Sequence, residues 1–86
     1  MQMHLEQHRP GQNRFRFYSL EVVQDLFGRW CLLRRWGRIG TSGRVRCESF
    51  RSQAEAVSAA EGLQRRKARR GYALLPQQLD LPFGGL

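Results

Sequence analysis

The chain has 86 residues and a formal net charge of +8 at pH 7, from fifteen Lys or Arg residues against seven Asp or Glu. A chain of this length is expected to form one small domain that buries about 60% of its unfolded surface. No segment approaches the roughly 20 apolar residues of a transmembrane helix. The first residues lack the apolar core of a secretory signal. We therefore expect a soluble, cytoplasmic protein that does not contact a membrane.

The cationic residues are unusual in type and in position. Fourteen of the fifteen are arginine, whose planar guanidinium binds phosphate through two parallel hydrogen bonds and stacks on flat rings. Between Arg29 and Arg51 the chain carries seven cations and one acid, whereas a surface that only needs solubility usually intersperses both signs. The charge therefore favours a nucleic acid partner.

The amino-terminal part of the chain is predicted to be irregular and the middle part to be strands. Residues 1–12 are polar and are predicted to form a flexible leader. Three strands follow at about residues 15–23, 30–36 and 44–50, where apolar side chains alternate with polar ones or form short runs. Glycine-containing turns at residues 25–29 and 40–43 connect them. In the first strand, period two places Tyr18, Leu20 and Val22 on one face.

A helix is predicted after the third strand. Ser52 and Glu55 have the spacing of a capping box, and Gly71 supplies the stop. Between them, the spacing of the small and apolar residues gives the helix one face that covers the sheet. The expected fold is α+β, a small antiparallel β-sheet packed against one α-helix. The folded domain should span residues 13–73, and an extended tail should occupy residues 74–86.

The tripeptide Trp36-Gly37-Arg38 follows the apolar run of the second predicted strand. It places an aromatic ring, a residue without a side chain and a guanidinium side by side. Together they offer a stacking surface, room for close approach of the backbone, and a phosphate-binding group. This combination suits a polyanion that also has flat or ribose-like surfaces.

The chain resembles the WGR domain family, which is named for this tripeptide. The resemblance covers residues 14–72 and lies in the following residues: Phe17, Tyr18, Gln24, Asp25, Arg34, Arg35, Trp36, Gly37, Arg38, Ile39, Gly40, Gly43, Phe50, Ala56, Lys67, Gly71 and Tyr72. It implies a small antiparallel sheet crossed by one helix, without catalytic activity. In the poly(ADP-ribose) polymerases the domain helps to bind DNA ends or nicks. There the motif tryptophan packs on the terminal sugar, and the motif arginine contacts other domains.

We carry over from the family only the general role in DNA binding, contacting mainly phosphates. The candidate nucleic-acid-binding residues are Trp36, Gly37, Arg38, Arg34, Arg35, Arg44, Arg46 and Arg16. Each has a structural alternative. Trp36 could be a core or rim aromatic, and arginines on the exposed face of a half-buried sheet are ordinary. Lys67 matches a family lysine but lies near the buried face of the helix, which favours a structural role.

Catalytic, metal and cofactor sites are not predicted. The chain has no nucleophile elbow, phosphate loop or metal-ligand spacing. His4 and His8 are four residues apart in the predicted leader, where a solvated pair is expected rather than a metal site. Cys31 and Cys47 are interpreted as small hydrophobic strand residues. No small-molecule substrate is expected.

The tail carries a separate signal. Gln78, Leu79, Leu81 and Phe83 fill a hexapeptide pattern that resembles the peptide by which bacterial replication and repair proteins dock on the sliding clamp. In such a peptide the glutamine orients and the leucine and phenylalanine anchor in apolar pockets. The alternative is that these side chains fold back onto the domain's own core.

The sequence is therefore compatible with three functions. The first is a nucleoid-associated DNA-binding protein of replication or repair, which contacts DNA ends or nicks and is tethered to the clamp. The second is a module that binds an acidic protein partner, and the third is a small RNA-binding accessory protein. A salt series separates phosphate binding from the others, because log affinity for duplex DNA falls by about 0.9 per phosphate contact for each unit of log salt.

Overall fold

The computed structural model describes residues 1–76. This part of the chain contains, in order, β1 (Gln2–Arg9), β2 (Arg14–Gln24), β3 (Trp30–Arg38), β4 (Arg44–Phe50), α1 (Gln53–Arg69) and β5 (Ala73–Leu74). A turn of 3-10 helix, Pro10–Gln12, joins β1 to β2. The strands form one antiparallel sheet in the order β4-β3-β2-β1-β5. The α+β fold class is thus confirmed.

The three strands predicted from the sequence are β2, β3 and β4. Tyr18, Leu20 and Val22 all point toward the helix, as their period of two predicted, and all three are buried. The turns also lie where the glycines indicated, since Gly28, Gly40 and Gly43 have positive φ angles. A long β2–β3–β4 meander therefore forms the main part of the sheet.

Helix α1 begins and ends as its sequence signals predicted. The Ser52 side chain accepts a hydrogen bond from the backbone N–H of Glu55 at 3.1 Å, which satisfies one of the free donors of the first turn. The chain leaves the helix at Gly71, whose φ of 94° is the left-handed conformation that glycine adopts at helix ends. Within the residues described, no helix is both long and apolar enough to span a membrane.

The core lies between α1 and one face of the sheet. Leu5, Leu20 and Leu32, from three neighbouring strands, are completely buried there. The helix covers them with Ala56, Ala60 and Leu63. The small alanine side chains allow the helix backbone to approach the sheet closely.

The prediction of a flexible leader over residues 1–12 is wrong for Gln2–Arg9, which form β1. This strand pairs with β2 along its whole length and supplies Leu5 to the core. The buried Gln7 side chain donates a 2.6 Å hydrogen bond to the Arg70 carbonyl oxygen, so β1 also caps the end of α1. The sequence signal was weak because Met3 and Leu5 are the strand's only apolar residues.

The tail also begins differently from the prediction. Ala73 and Leu74 form β5, a two-residue edge strand that pairs with Glu6 and Leu5 of β1. Two residues are too few for a period to show in the sequence. The strand forms because Gly71 turns the chain back beside the exposed edge of β1.

Candidate nucleic-acid interface

Trp36 lies near the end of β3, on the face of the sheet that carries the helix. It is the direct cross-strand partner of Tyr18, and the two rings stack with centroids 5.9 Å apart and an interplanar angle of 18°. Trp36 is half-buried and packs against the core. Packing on Tyr18 therefore fixes the orientation of the ring while part of it remains accessible.

The accessible part of Trp36 faces a depression of about 590 Å³. We call this depression the Arg-Trp pocket. It is lined by Gln12, Asn13, Arg14, Phe15, Arg16, Tyr18, Trp36, Gly37, Arg38, Lys67 and Tyr72. Among these described residues, none is acidic. The pocket thus combines aromatic walls with four cationic side chains and no carboxylate to neutralise them.

The strand register places cationic residues side by side in the Arg-Trp pocket and at its border. Arg16 of β2 is the direct partner of Arg38 of β3, and Arg44 of β4 is the direct partner of Trp36. Like charges placed opposite each other on a sheet destabilise it. An anion bound between them would relieve that repulsion, so the register favours a polyanionic ligand.

Lys67 reaches into the same pocket from the last turns of α1. Its Nζ lies 4.5 Å from the centroid of the Tyr18 ring and 5.4 Å from that of Tyr72, within the range of cation–π attraction. Partial burial lowers the pKa of the Lys67 ammonium. Neighbouring guanidinium groups lower this pKa further: Arg70, Arg34, Arg16 and Arg66. The positive potential of these guanidinium groups is also the potential that an anionic ligand would meet.

The glycine of the tripeptide has a packing role. A Cβ atom on Gly37 would lie 2.8 Å from the Cα atom of Gly43, because the loop after β3 folds back against that strand. Gly43 itself has a φ of 72°, and a Cβ there would collide with the Trp36 carbonyl oxygen. Close approach of two backbones within the domain therefore accounts for the glycine at position 37, where the sequence alone had indicated room for a ligand.

The remaining candidate arginines divide between two faces. Arg46, like Arg44, is exposed and shares the face of Trp36 by strand alternation. Arg34 lies on that face too, but its side chain is mostly buried and pairs with Glu48 at 2.9 Å. Arg35 points to the opposite face, where it lines a separate depression with His4 and Phe17. The structure thus brings together Trp36, Gly37, Arg38, Arg16 and Arg44, extends this surface through Arg46, and separates Arg35 from it.

Sequence reasoning missed several residues of the pocket. Tyr18 was placed on the helix-facing side of its strand but not in a binding site, and Tyr72 and Arg14 were not assigned to any site. Lys67 was given a structural role, yet its ammonium lines the pocket. The period-two pattern of β2 could have revealed Tyr18, since an aromatic with a polar tip often lies where a core meets solvent. The approach of Tyr72 depends on the turn at Gly71 and has no local sequence signal.

The two histidines lie on the other face of the sheet, in β1. Their Nε2 atoms are 3.0 Å (His4) and 2.8 Å (His8) from the carboxylate of Glu6 between them. These hydrogen bonds lower the pKa of Glu6, with the larger effect from His8. Within residues 1–76, no group of His, Cys, Asp or Glu has the arrangement of a metal site. The histidine pair is therefore part of the strand surface, with both side chains exposed to solvent.

Comparison with known proteins decides the family. The model of the WGR domain matches residues 1–78 of the chain. This protein belongs to the WGR domain family. The match includes β1, which the sequence-based boundaries had left outside the domain. WGR domains are non-catalytic binding modules, and in the poly(ADP-ribose) polymerases they bind nucleic acids.

Two similar proteins are longer than this chain, which matches only part of each. An uncharacterized protein of Sinorhizobium fredii, y4dW, is 39% identical over 74 residues, which cover 86% of this chain and 36% of that protein. The crystal structure of a Bacteroides fragilis protein matches 88% of this chain with a TM-score of 0.74 and 24% identity. The match covers 20% of the Bacteroides chain. At 24% identity, this likeness shows the fold alone.

The residues proposed for the sliding clamp, Gln78, Leu79, Leu81 and Phe83, lie outside the described residues. The described chain ends at Pro76, just after β5.

Proposed function

We propose that this WGR domain binds DNA through the Arg-Trp pocket, mainly by phosphate contacts and without catalysis. The observation that carries the proposal is the pocket's composition: Trp36 and two tyrosines beside cationic side chains, without an acidic residue among its described lining residues. Guanidinium groups bind phosphate oxygens, and the indole provides an apolar surface for a sugar or base. Contacts of this kind position a nucleic acid without reading its sequence.

The shape of the site supports binding at an end or a nick. Trp36 is stacked on Tyr18 and half-buried, so it is held in place and cannot swing outward to insert into an intact stack. A terminal or nicked nucleotide can instead bring its sugar to the ring. Arg16, Arg38 and Arg44 would then hold the neighbouring phosphates.

The test is a titration of the protein against blunt duplex, nicked duplex, single-stranded DNA and RNA duplex of equal length, each over a series of salt concentrations. For DNA binding, log affinity should fall linearly with log salt, by about 0.9 per phosphate contacted. Preference for the RNA duplex would support the RNA-binding alternative. Tight binding to none of the four would leave the acidic protein partner as the better hypothesis.

Replacing Trp36 by alanine should weaken binding to nicked or blunt DNA by about 1–3 kcal/mol, the value of one stacking contact. Fluorescence anisotropy measures the affinity, and circular dichroism checks the fold. Arg35→Ala is the matched control, because Arg35 lies on the opposite face and should change affinity much less. An unfolded W36A variant would instead assign Trp36 to the core.

Replacing Lys67 by methionine should stabilise the fold and weaken DNA binding. The pKa of Lys67 is lowered in the native state. Its charge therefore opposes folding at neutral pH, an effect that is relieved only as pH rises through the native-state pKa. Methionine keeps the packing of the stem without the charge. Urea unfolding at low salt should show a higher free energy of unfolding, and the salt slope of DNA binding should fall by about 0.9. A less stable variant would mean that the attraction of the Lys67 ammonium to the rings of Tyr18 and Tyr72 outweighs the cost of its burial and its repulsion from the neighbouring arginines.

We also propose that the tail tethers the protein to the bacterial sliding clamp. The support is the order of Gln78, Leu79, Leu81 and Phe83 in the sequence. A docking peptide a few residues from a DNA-binding domain would raise the effective concentration of each site for the other. Calorimetry of a peptide of residues 75–86 against purified clamp should give heat that an L81A/F83A peptide lacks. Equal heats, or none at high concentration, would remove the proposal.

A further inference from the structure

The turn between β2 and β3 presents two adjacent large apolar side chains to solvent. Leu26 is 99% exposed and Phe27 is 87% exposed, more than any other large hydrophobic residue of the described chain. We call these two residues the tip pair. Burial of Leu and Phe is normally favourable, and neither side chain packs on the domain. The fold itself therefore gives no reason for apolar residues here.

The backbone of this turn is held by several hydrogen bonds. The Asp25 carboxylate accepts from the backbone N–H of Phe27 at 2.8 Å and of Arg29 at 2.9 Å. Gly28 has a φ of 83°, and its carbonyl oxygen accepts from the Gln24 side chain at 3.1 Å. The tip pair thus projects from a fixed turn. Less backbone entropy is lost when a fixed turn binds than when a mobile loop does.

The charges around the tip pair indicate the kind of partner. Arg29 lies in the turn itself, and Arg51 follows β4 beside it; both line one shallow depression with Phe50. Asp25 is the one acid of this turn, and its Oδ1 accepts both backbone N–H bonds, so the two arginines still outnumber it. Apolar side chains flanked by exposed guanidinium groups suit an anionic partner. They disfavour a second copy of the chain, which would place arginine against arginine.

The tip pair is also continuous with the surface proposed for DNA. On this face, edge strand β4 carries Arg44 beside Trp36 at one end, then Arg46, then Glu48, whose carboxylate is ion-paired with Arg34, and reaches Phe50 beside Trp30 at the other. Six residue steps at about 3.3 Å give a length of roughly 20 Å. A duplex rises about 3.4 Å per base pair, so this edge matches about six base pairs. The tip pair lies just beyond them.

We propose that the tip pair is an apolar wedge that enters a base step of duplex DNA, roughly 6–8 base pairs from the nucleotide held at the Arg-Trp pocket. This inference rests on the proposed function. Leu and Phe side chains inserted between base pairs unstack them and kink the duplex by about 20–90°. Arg29 and Arg51 hold the phosphates that flank the opened step.

The test compares wild type with an L26S/F27S variant. Serine keeps the backbone N–H groups that hold the turn, so the fold should be unchanged by circular dichroism. On a duplex of about 15 base pairs labelled at both ends, wild type should increase energy transfer by bending the DNA, and the variant should not. The variant's affinity should fall about tenfold, which corresponds to about 1.4 kcal/mol. On a hairpin stem of about 5 base pairs, too short to reach the tip, the two proteins should bind equally.

A V45S variant is the matched control. Val45 is 57% exposed but points to the opposite face of the sheet. The V45S protein should therefore bind and bend the long duplex like wild type. The wedge is overturned if L26S/F27S bends and binds the long duplex as wild type does, or if its affinity falls while bending is retained. Failure of wild type to bind either DNA would instead overturn the proposed function.

Discussion

Replacing Leu32 by alanine is expected to lower the free energy of unfolding by about 2–5 kcal/mol. Leu32 is completely buried in β3, a central strand, and packs in the cluster that joins the sheet to α1. Its partner on β2 is Val22, itself part of the core. Alanine would leave a cavity that β3, paired on both sides, cannot close by moving. A domain of this size has a small margin of stability, so this loss should leave much of the protein unfolded at moderate temperature.

Urea unfolding followed by circular dichroism measures this change. Leu26→Ala is the matched control, because it removes the same atoms from a side chain that is 99% exposed. The control should differ from wild type by less than about 0.5 kcal/mol. Similar stabilities for the two variants would show that the core does not lie between α1 and the sheet.

Replacing Gly43 by alanine is expected to lower the free energy of unfolding by about 2–5 kcal/mol, because two unfavourable effects add. The φ of 72° is unfavourable for a residue with a Cβ atom, by about 1–2 kcal/mol. The new Cβ would also collide with the Trp36 carbonyl oxygen and lie 2.9 Å from the Phe17 ring, which adds about 1–3 kcal/mol of overpacking. Because the collision is with the backbone of Trp36, this variant should weaken DNA binding as well.

Gly40→Ala separates the two effects. Gly40 has a similar positive φ of 96°, but a Cβ there meets no atom within 4 Å. The Gly40→Ala substitution should lower the free energy of unfolding only by the cost of the positive φ, about 1–2 kcal/mol. It should leave the affinity for DNA close to that of wild type. Thermal unfolding and anisotropy titration of both variants measure the difference. Equal effects would show that the loop after β3 does not pack closely on the strand.

The strands and the helix that the sequence predicted are those with strong local signals. The alternation of Tyr18, Leu20 and Val22 indicated both β2 and its buried face. Ser52 and Gly71 marked the two ends of α1 because capping depends on residues adjacent in the chain. The β1 and β5 strands lacked such signals. They exist because each adds to an edge already formed by other residues, a non-local effect that a short window cannot show.

The sequence by itself determined the meander β2–β3–β4, the helix and its faces, the excess of arginine and the tripeptide of the WGR family. Only the tertiary structure decided which of these residues share one surface. Strand register placed Arg16, Arg38 and Arg44 around Trp36 and ion-paired Arg34 with Glu48. The docking of α1 on the sheet and the turn at Gly71 brought Lys67 and Tyr72, distant in sequence, to the same pocket. The physical reason is that helix and strand periods are local, whereas register and helix docking depend on how the whole apolar core is buried at once.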